Sequence, residues 1–146
     1  MRFWDTSALV PLLVREEATA AVRKAYTSDP AVIVAWTTLV ECASAVARAE
    51  HEALLTQAEA TEALARLDEI AQAWHEVEPL NTVREVAQRL LRVHRLRAAD
   101  ALQIAAATLA AERRPASLTF VTLDDRLEAA ALKEGFAVLV PGRTDA

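Results

Sequence analysis

A single cysteine, Cys42, leaves this chain no internal disulfide and no cysteine-based zinc cluster. Glycine occurs only 2 times and proline 5 times in 146 residues, too rarely for long irregular linkers, and no segment is low in complexity. No apolar run is long enough to cross a bilayer: the most apolar stretch, Ala98 to Ala111, is broken by Asp100 and Gln103. Asp5 interrupts any apolar core that a signal peptide would need at the amino terminus. Excess positive charge is missing as well. The 16 Lys and Arg against 21 Asp and Glu give a net charge of −5, which argues against a general nucleic-acid coat protein. A nuclease stays compatible, because an acidic metal site and a local basic rim can coexist. What is present, 53% hydrophobic residues, fits one globular domain with a real core, and the expected location is cytoplasmic.

The stretch around which the chain is organised is Arg2-Phe3-Trp4-Asp5-Thr6-Ser7-Ala8-Leu9-Val10. It reads as a buried strand that ends at Asp5 and turns into a helix, with Thr6 or Ser7 as cap. In open α/β sheets, ligands bind at the carboxyl ends of strands, near the point where strand order reverses. Asp5 would stand at such an end; alone it could equally be a helix cap.

Helices are then expected over Ala8–Val14 and Ala18–Thr27, the second closed by Ser28-Asp29-Pro30. Ala31–Trp36 is an unbroken apolar run suited to a strand covered on both faces. A helix follows from Thr37-Thr38 to about Glu50, then a long amphipathic one over Thr56–Ala73. Trp74–Val77 is a short, weak strand. Helices over Thr82–His94 and Ala98–Glu112 precede a convincing strand, Leu118–Leu123. A helix from Asp125 to Glu134 ends at Gly135, where a left-handed cap is expected, and Phe136–Val140 is the last strand. Strands alternating with helices give an α/β three-layer sandwich, a central parallel five-stranded sheet flanked by helices. Right-handed crossovers favour strand order 3-2-1-4-5.

Asp5, Glu41 and Asp124 each follow a strand within a few residues, and each has a local explanation too. Thr38-Leu39-Val40-Glu41 fits a capping box, Thr122-Leu123-Asp124-Asp125 fits a weaker one, and Thr56–Glu59 and Thr82–Glu85 repeat the pattern. On spacing alone Glu41 reads first as a cap. Topology separates the acids: strands two and four flank strand one, so Glu41 and Asp124 fall beside Asp5, with neighbouring strands ~4.8 Å apart. Carboxylates this close repel unless a cation holds them, and an all-oxygen set favours Mg²⁺ or Mn²⁺. His51, His75 and His94 stand in no catalytic motif and read as ordinary surface or core residues. Arg84, Arg89, Arg92, Arg95 and Arg97 crowd one segment, either a solvated helix face or a phosphate-facing rim.

Asp5-Thr6-Ser7-Ala8-Leu9, Glu41, Arg97-Ala98-Ala99-Asp100-Ala101-Leu102 and Thr122-Leu123-Asp124 together resemble the successive motifs of PIN-domain ribonucleases. More narrowly, they resemble the toxin subunits of VapBC-type toxin–antitoxin pairs. The resemblance spans essentially the whole chain and implies a single PIN domain over residues 1–146. It implies Asp100 as a further site acid, which otherwise is only a first-turn residue favoured by the helix dipole. It also implies an endoribonuclease in which Mg²⁺ or Mn²⁺ activates water for attack on an RNA phosphodiester. Asp5, Asp100 and Asp124 would be metal ligands, and Glu41 a ligand or the group that orients the water. Ser7 and Thr122 would be supporting hydroxyls, Arg92, Arg95 and Arg97 would meet RNA, and Asp125 would be the helix cap. The implied partners are a cognate antitoxin and a second copy of the chain, with no membrane. Leu9, Leu12, Leu13 and Val22 would then serve either as core or as a groove for the antitoxin and a dimer surface. A haloacid-dehalogenase-type phosphatase needs a second Asp where Ser7 stands; a phosphorelay receiver needs its acid pair on strand one. A non-catalytic PIN-like domain that binds RNA or protein is the remaining alternative.

Overall fold

Alternation along the first strand decides the architecture. In the computed structural model, which describes residues 1–143, Arg2–Trp4 form strand β1. Successive strand residues point to opposite sheet faces, and the fully buried Phe3 and Trp4 accordingly belong to two different cores. The same split recurs in β2 (Val32–Ala35), where Ile33 and Ala35 join Phe3 while Val32 and Val34 join Trp4. In β4 (Thr119–Val121), Phe120 joins the first core and Val121 the second. A sheet apolar on both faces must be covered on both, so the chain folds as three layers.

The remaining strands are β3 (His75–Val77) and β5 (Ala137–Leu139), and the sheet is wholly parallel in the order β3-β2-β1-β4-β5. Phe3 lies opposite Ile33 on one side and Phe120 on the other. Its ring stacks on Phe120 at 5.4 Å between centroids, and Phe120 meets Phe136 at 5.8 Å. One face is covered by α5 (Asn81–Val93), α6 (Ala98–Ala110) and α7 (Asp125–Lys133). The other is covered by α1 (Thr6–Leu9), α2 (Thr19–Ser28), α3 (Thr38–His51) and α4 (Gln57–Ala73). Among the described residues no helix is long and apolar enough to cross a membrane.

The expected helix over Ala8–Val14 is interrupted. Pro11 removes a backbone donor there, so α1 stops at Leu9 and Val10–Leu12 tighten into a 3-10 turn. Leu9, Leu13 and Val22 are buried within the chain, and Leu12 is half-buried against the same cluster. Leu9, Leu13 and Val22 are therefore core, while Leu12 keeps part of its surface exposed. Gly135 does take the left-handed conformation, at φ 99°, as the bond from the Phe136 N–H to the Ala131 carbonyl closes α7.

The repeated capping spacing folds as a box only once. Thr56 Oγ1 accepts from the Glu59 N–H at 3.1 Å, and Glu59 Oε1 accepts from the Thr56 N–H at 2.9 Å. At Thr82–Glu85 the helix already begins at Asn81, behind Leu80, with no side-chain cap.

A carboxylate-lined cleft at the strand carboxyl ends

Asp5 is the residue at which β1 gives way to α1, and it is only 3% exposed. Its carboxylate caps nothing, and neither Thr6 nor Ser7 caps the helix. Instead Asp5 Oδ2 accepts from Thr122 Oγ1 at 2.7 Å and from Ser7 Oγ in a shorter contact. Those hydroxyls bind onward: Ser7 Oγ accepts from the Leu123 N–H at 2.9 Å and Thr122 Oγ1 from the Asp124 N–H at 3.0 Å. The expected supporting hydroxyls thus tie the ends of β1 and β4 around one carboxylate. Burial pushes the Asp5 carboxyl up to about 6, with the nearby Asp124 charge adding to it and the Ser7 and Thr122 hydrogen bonds opposing it.

Asp124 is the true cap of α7: its Oδ1 accepts from the Arg126 and Leu127 N–H groups at 2.9 and 3.0 Å. Asp125 is not the cap. It is the first helical residue and its side chain is exposed, 4.0 Å from Arg143. Residue 124 wins because its backbone is extended, as a capping residue requires, while the chain at 125 is already helical.

Glu41 is not half of a capping box either. α3 starts at Thr38 behind Thr37, and Glu41 Oε1 accepts from Thr37 Oγ1 at 2.8 Å and from Gln103 Nε2 at 3.1 Å. Thr38, expected as the box hydroxyl, is buried and meets Gln103 Nε2 at 3.1 Å. Asp100 stands in the first turn of α6, where its Oδ2 accepts from the Arg97 N–H at 3.4 Å. Burial raises its carboxyl and the Asp124 charge adds to that, against the Arg97 hydrogen bond and the Arg97 and Arg126 charges.

Gln103 is the buried polar residue behind the cleft that the sequence reading missed. It is 1% exposed, holds Glu41, and reaches Thr6 Oγ1 at 3.2 Å, so α6 is locked to both α1 and α3. Its Oε1 atom is buried without a hydrogen-bond partner. A signal existed: Gln103 is a polar residue in an apolar helix, three positions after Asp100 and so on the same face.

Asp5, Glu41, Asp100 and Asp124 line one open cleft of about 1020 Å³, with Ser7 and Thr37 among its other walls. Only one Lys or Arg, Arg48, lines it, while Glu16 and Glu76 add further acids. The donors are all hard oxygens, which suits Mg²⁺ or Mn²⁺. Among the described residues, however, no three His, Cys, Asp or Glu side chains are grouped as a ready metal site. Ionised carboxylates repel one another, so spacing wider than ligation is what an acid set holds without a counter-ion.

The expected basic residues divide. Arg95 and Arg97 line a groove with His94 and Arg126, continued by Lys133, and no acid lines it; Arg92 lines neither part. His94 packs under this groove with its side chain 6% exposed, and its Nε2 lies 2.8 Å from Glu134 Oε2. Glu134 also pairs with Arg89 at 2.6 Å.

A sequence model of the PIN domain matches residues 2–133. No curated protein matches the chain in sequence. Among solved structures, the chain is similar to FitAB bound to a DNA fragment, with TM-score 0.70 and 18% identity over 100% of this chain and 99% of that one. It is similar to a toxin–antitoxin complex from Klebsiella pneumoniae, with TM-score 0.68 and 16% identity over 99% and 100%. FitAcB from Neisseria gonorrhoeae gives TM-score 0.67 and 21% identity over 97% and 98%.

Proposed function

The chain belongs to the PIN domain family, and from that premise we propose that residues 1–146 form a single-domain, metal-dependent endoribonuclease, the toxin of a toxin–antitoxin pair. One observation carries the reading. Asp5 is buried at the carboxyl end of the central strand, its pKa is pushed up to about 6, and three more acids line the same cleft. A carboxylate kept in such a place at a cost to the metal-free fold is what cation binding would need. Asp5, Asp100 and Asp124 would hold Mg²⁺ or Mn²⁺, which supplies an activated water and charge stabilisation when bound.

The chain's own residues do the rest. Thr122 and Ser7 fix the Asp5 carboxylate by donating to Oδ2, as residues behind metal ligands do elsewhere. Thr37 and Gln103 hold one oxygen of Glu41, which aims its carboxylate and leaves the other oxygen to orient a water. Arg95, Arg97 and Arg126, beside Asp100 and Asp124, would take the flanking phosphates. The toxin role and an antitoxin partner are supported by the similarity to a toxin–antitoxin complex, and a homodimer remains part of the proposal. A cytoplasmic location goes with that role.

A second reading, a non-catalytic PIN-like domain that binds RNA or protein, is favoured by the lack of a ready cluster of metal-binding side chains among the described residues. Incubation of the purified protein with structured RNA separates the two. Cleavage with Mg²⁺ or Mn²⁺ that stops with EDTA and with Asp5→Asn supports the nuclease; binding with no cleavage under either metal supports the second reading.

A further inference from the structure

Tryptophan is the residue most costly to leave in water, and two of the three here are hidden: Trp4 is wholly buried and Trp74 nearly so. Trp36 is 58% exposed. It lies just beyond the end of β2, directly before Thr37, which holds Glu41. Trp36 lines two neighbouring cavities. One is the acid cleft; the other is a slot of about 180 Å³ walled by Pro79, Leu80, Val83 and Ala106. Trp36, Thr37 and Leu102 line both. Arg84 stands at the slot as well, its guanidinium bound to Asn81 Oδ1 at 2.6 Å.

Acids outnumber cations along the cleft, so a nucleic-acid strand gains little there from general electrostatic attraction. The neutral part of the strand, the base, is what this rim can hold. Proteins that bind unpaired RNA splay bases out of the strand and stack them on aromatic rings or on arginine planes. The geometry points to the Trp36 slot as a pocket for one unpaired nucleobase, stacked on the indole next to the phosphate that lies over the acids. This rests on the nuclease reading and adds to it a place for one base beside the cleft, which a paired base cannot take without losing its partner.

Trp36 reports on its own occupancy, because it is the one exposed indole of the described chain. The test is fluorescence titration of the whole protein in EDTA, which keeps metal-dependent cleavage off, with a short single-stranded RNA, the same strand in duplex, and the strand carrying one abasic position. A second, fluorophore-labelled copy of the single strand measures binding by polarisation without relying on tryptophan. The expected results are quenching by the single strand, and an affinity loss of about tenfold or more in Trp36→Ala, the scale of one stacked base. Trp36→Phe should restore most of the affinity, and the abasic strand should bind the wild type and Trp36→Ala equally. Unchanged affinity in Trp36→Ala, or duplex binding as tight as single-strand binding, would overturn the slot and leave the nuclease reading standing. Emission that changes on dilution without RNA would show the indole covered by a second copy, and would also overturn it. If the labelled strand does not bind and nothing is cleaved with Mn²⁺, the nuclease reading fails and the slot goes with it.

Discussion

The acid cleft and the basic groove are made from the same few segments, yet they carry opposite charge. Arg97 lies three residues before Asp100, and Arg126 two after Asp124. In each pair the acid faces the cleft and the arginine faces the groove. Two helix starts, those of α6 and α7, therefore sort their charges onto two sides of one ridge. A net charge of −5 says nothing of this, because it averages over surfaces that the fold keeps apart. The acids are the buried or half-buried members and the arginines the exposed ones, so burial perturbs the first set and solvent screens the second. The cleft should consequently respond to pH and metal, and the groove to salt.

The largest expected effect removes the cleft's central group. Asp5→Asn should lower metal-dependent cleavage of RNA by more than the roughly hundredfold that loss of a residue supporting a metal ligand costs. Circular dichroism should be unchanged. Residual cleavage within tenfold of wild type would remove Asp5 from the site.

The same residue should give the metal-free protein an unusual pH dependence. Its carboxyl is held at about 6 in the folded state against an ordinary 3.8, so between those values the native state binds the proton more tightly than the unfolded one. Stability should therefore fall as pH rises from about 4 to about 6, by about 3 kcal/mol at 1.36 kcal/mol per pH unit. Thermal melts across that range in EDTA should show the slope in wild type and lose most of it in Asp5→Asn. Asp100 is raised in the same direction, first by burial. Asp100→Asn should raise the melting temperature without metal and shrink the rise given by Mn²⁺, which for a native-state ligand is about 2.7 kcal/mol at a hundredfold excess over Kd. A full Mn²⁺ shift in that variant would leave Asp100 a first-turn acid and nothing more.

In the groove the effects should be smaller and ionic. Arg95→Ala and Arg126→Ala should each weaken single-stranded RNA binding and reduce the slope of log K against log salt by about 0.7. Arg92→Ala should change neither. Equal slopes in all three variants would break the distinction between groove and solvated helix face. The smallest effect lies outside both regions: Thr56→Ala should cost about 1 kcal/mol through its capping box, with the Mn²⁺ response intact. Glu85→Gln, which removes no cap, should cost less than that in a denaturant titration.

Comparing these sites shows what could be read in advance. The strands and their order were legible because all but β3, His75–Val77, are apolar runs long enough to name, and the handedness rule leaves few ways to connect them. Caps were the weak point. Thr38–Glu41, Thr56–Glu59 and Thr82–Glu85 share one spacing, but only the second folds as a box. Glu41 is claimed by Thr37 and Gln103, partners that one segment's spacing does not predict. Asp124 and Asp125 look alike as caps in the sequence, because the choice between neighbours rests on backbone angles rather than residue type. The apolar α1–α2 residues were open to two readings, and burial within the chain assigns Leu9, Leu13 and Val22 to the core. Arg126 and Lys133 escaped notice as groove residues because they come from α7, far in sequence from Arg95 and Arg97.

The hydrogen bond from Thr122 to Asp5 joins residues 117 positions apart. That distance is also an interval of time. At about 5–20 residues per second, a ribosome reaches β4 roughly 6–24 s after it has made β1. Until then Asp5 has neither Thr122 nor Asp124 beside it, and the central slot of the sheet has an open edge. The first acid made is thus among the last to be set in place, and an interrupted chain that ends before residue 119 has the aspartate without the hydroxyl that holds it.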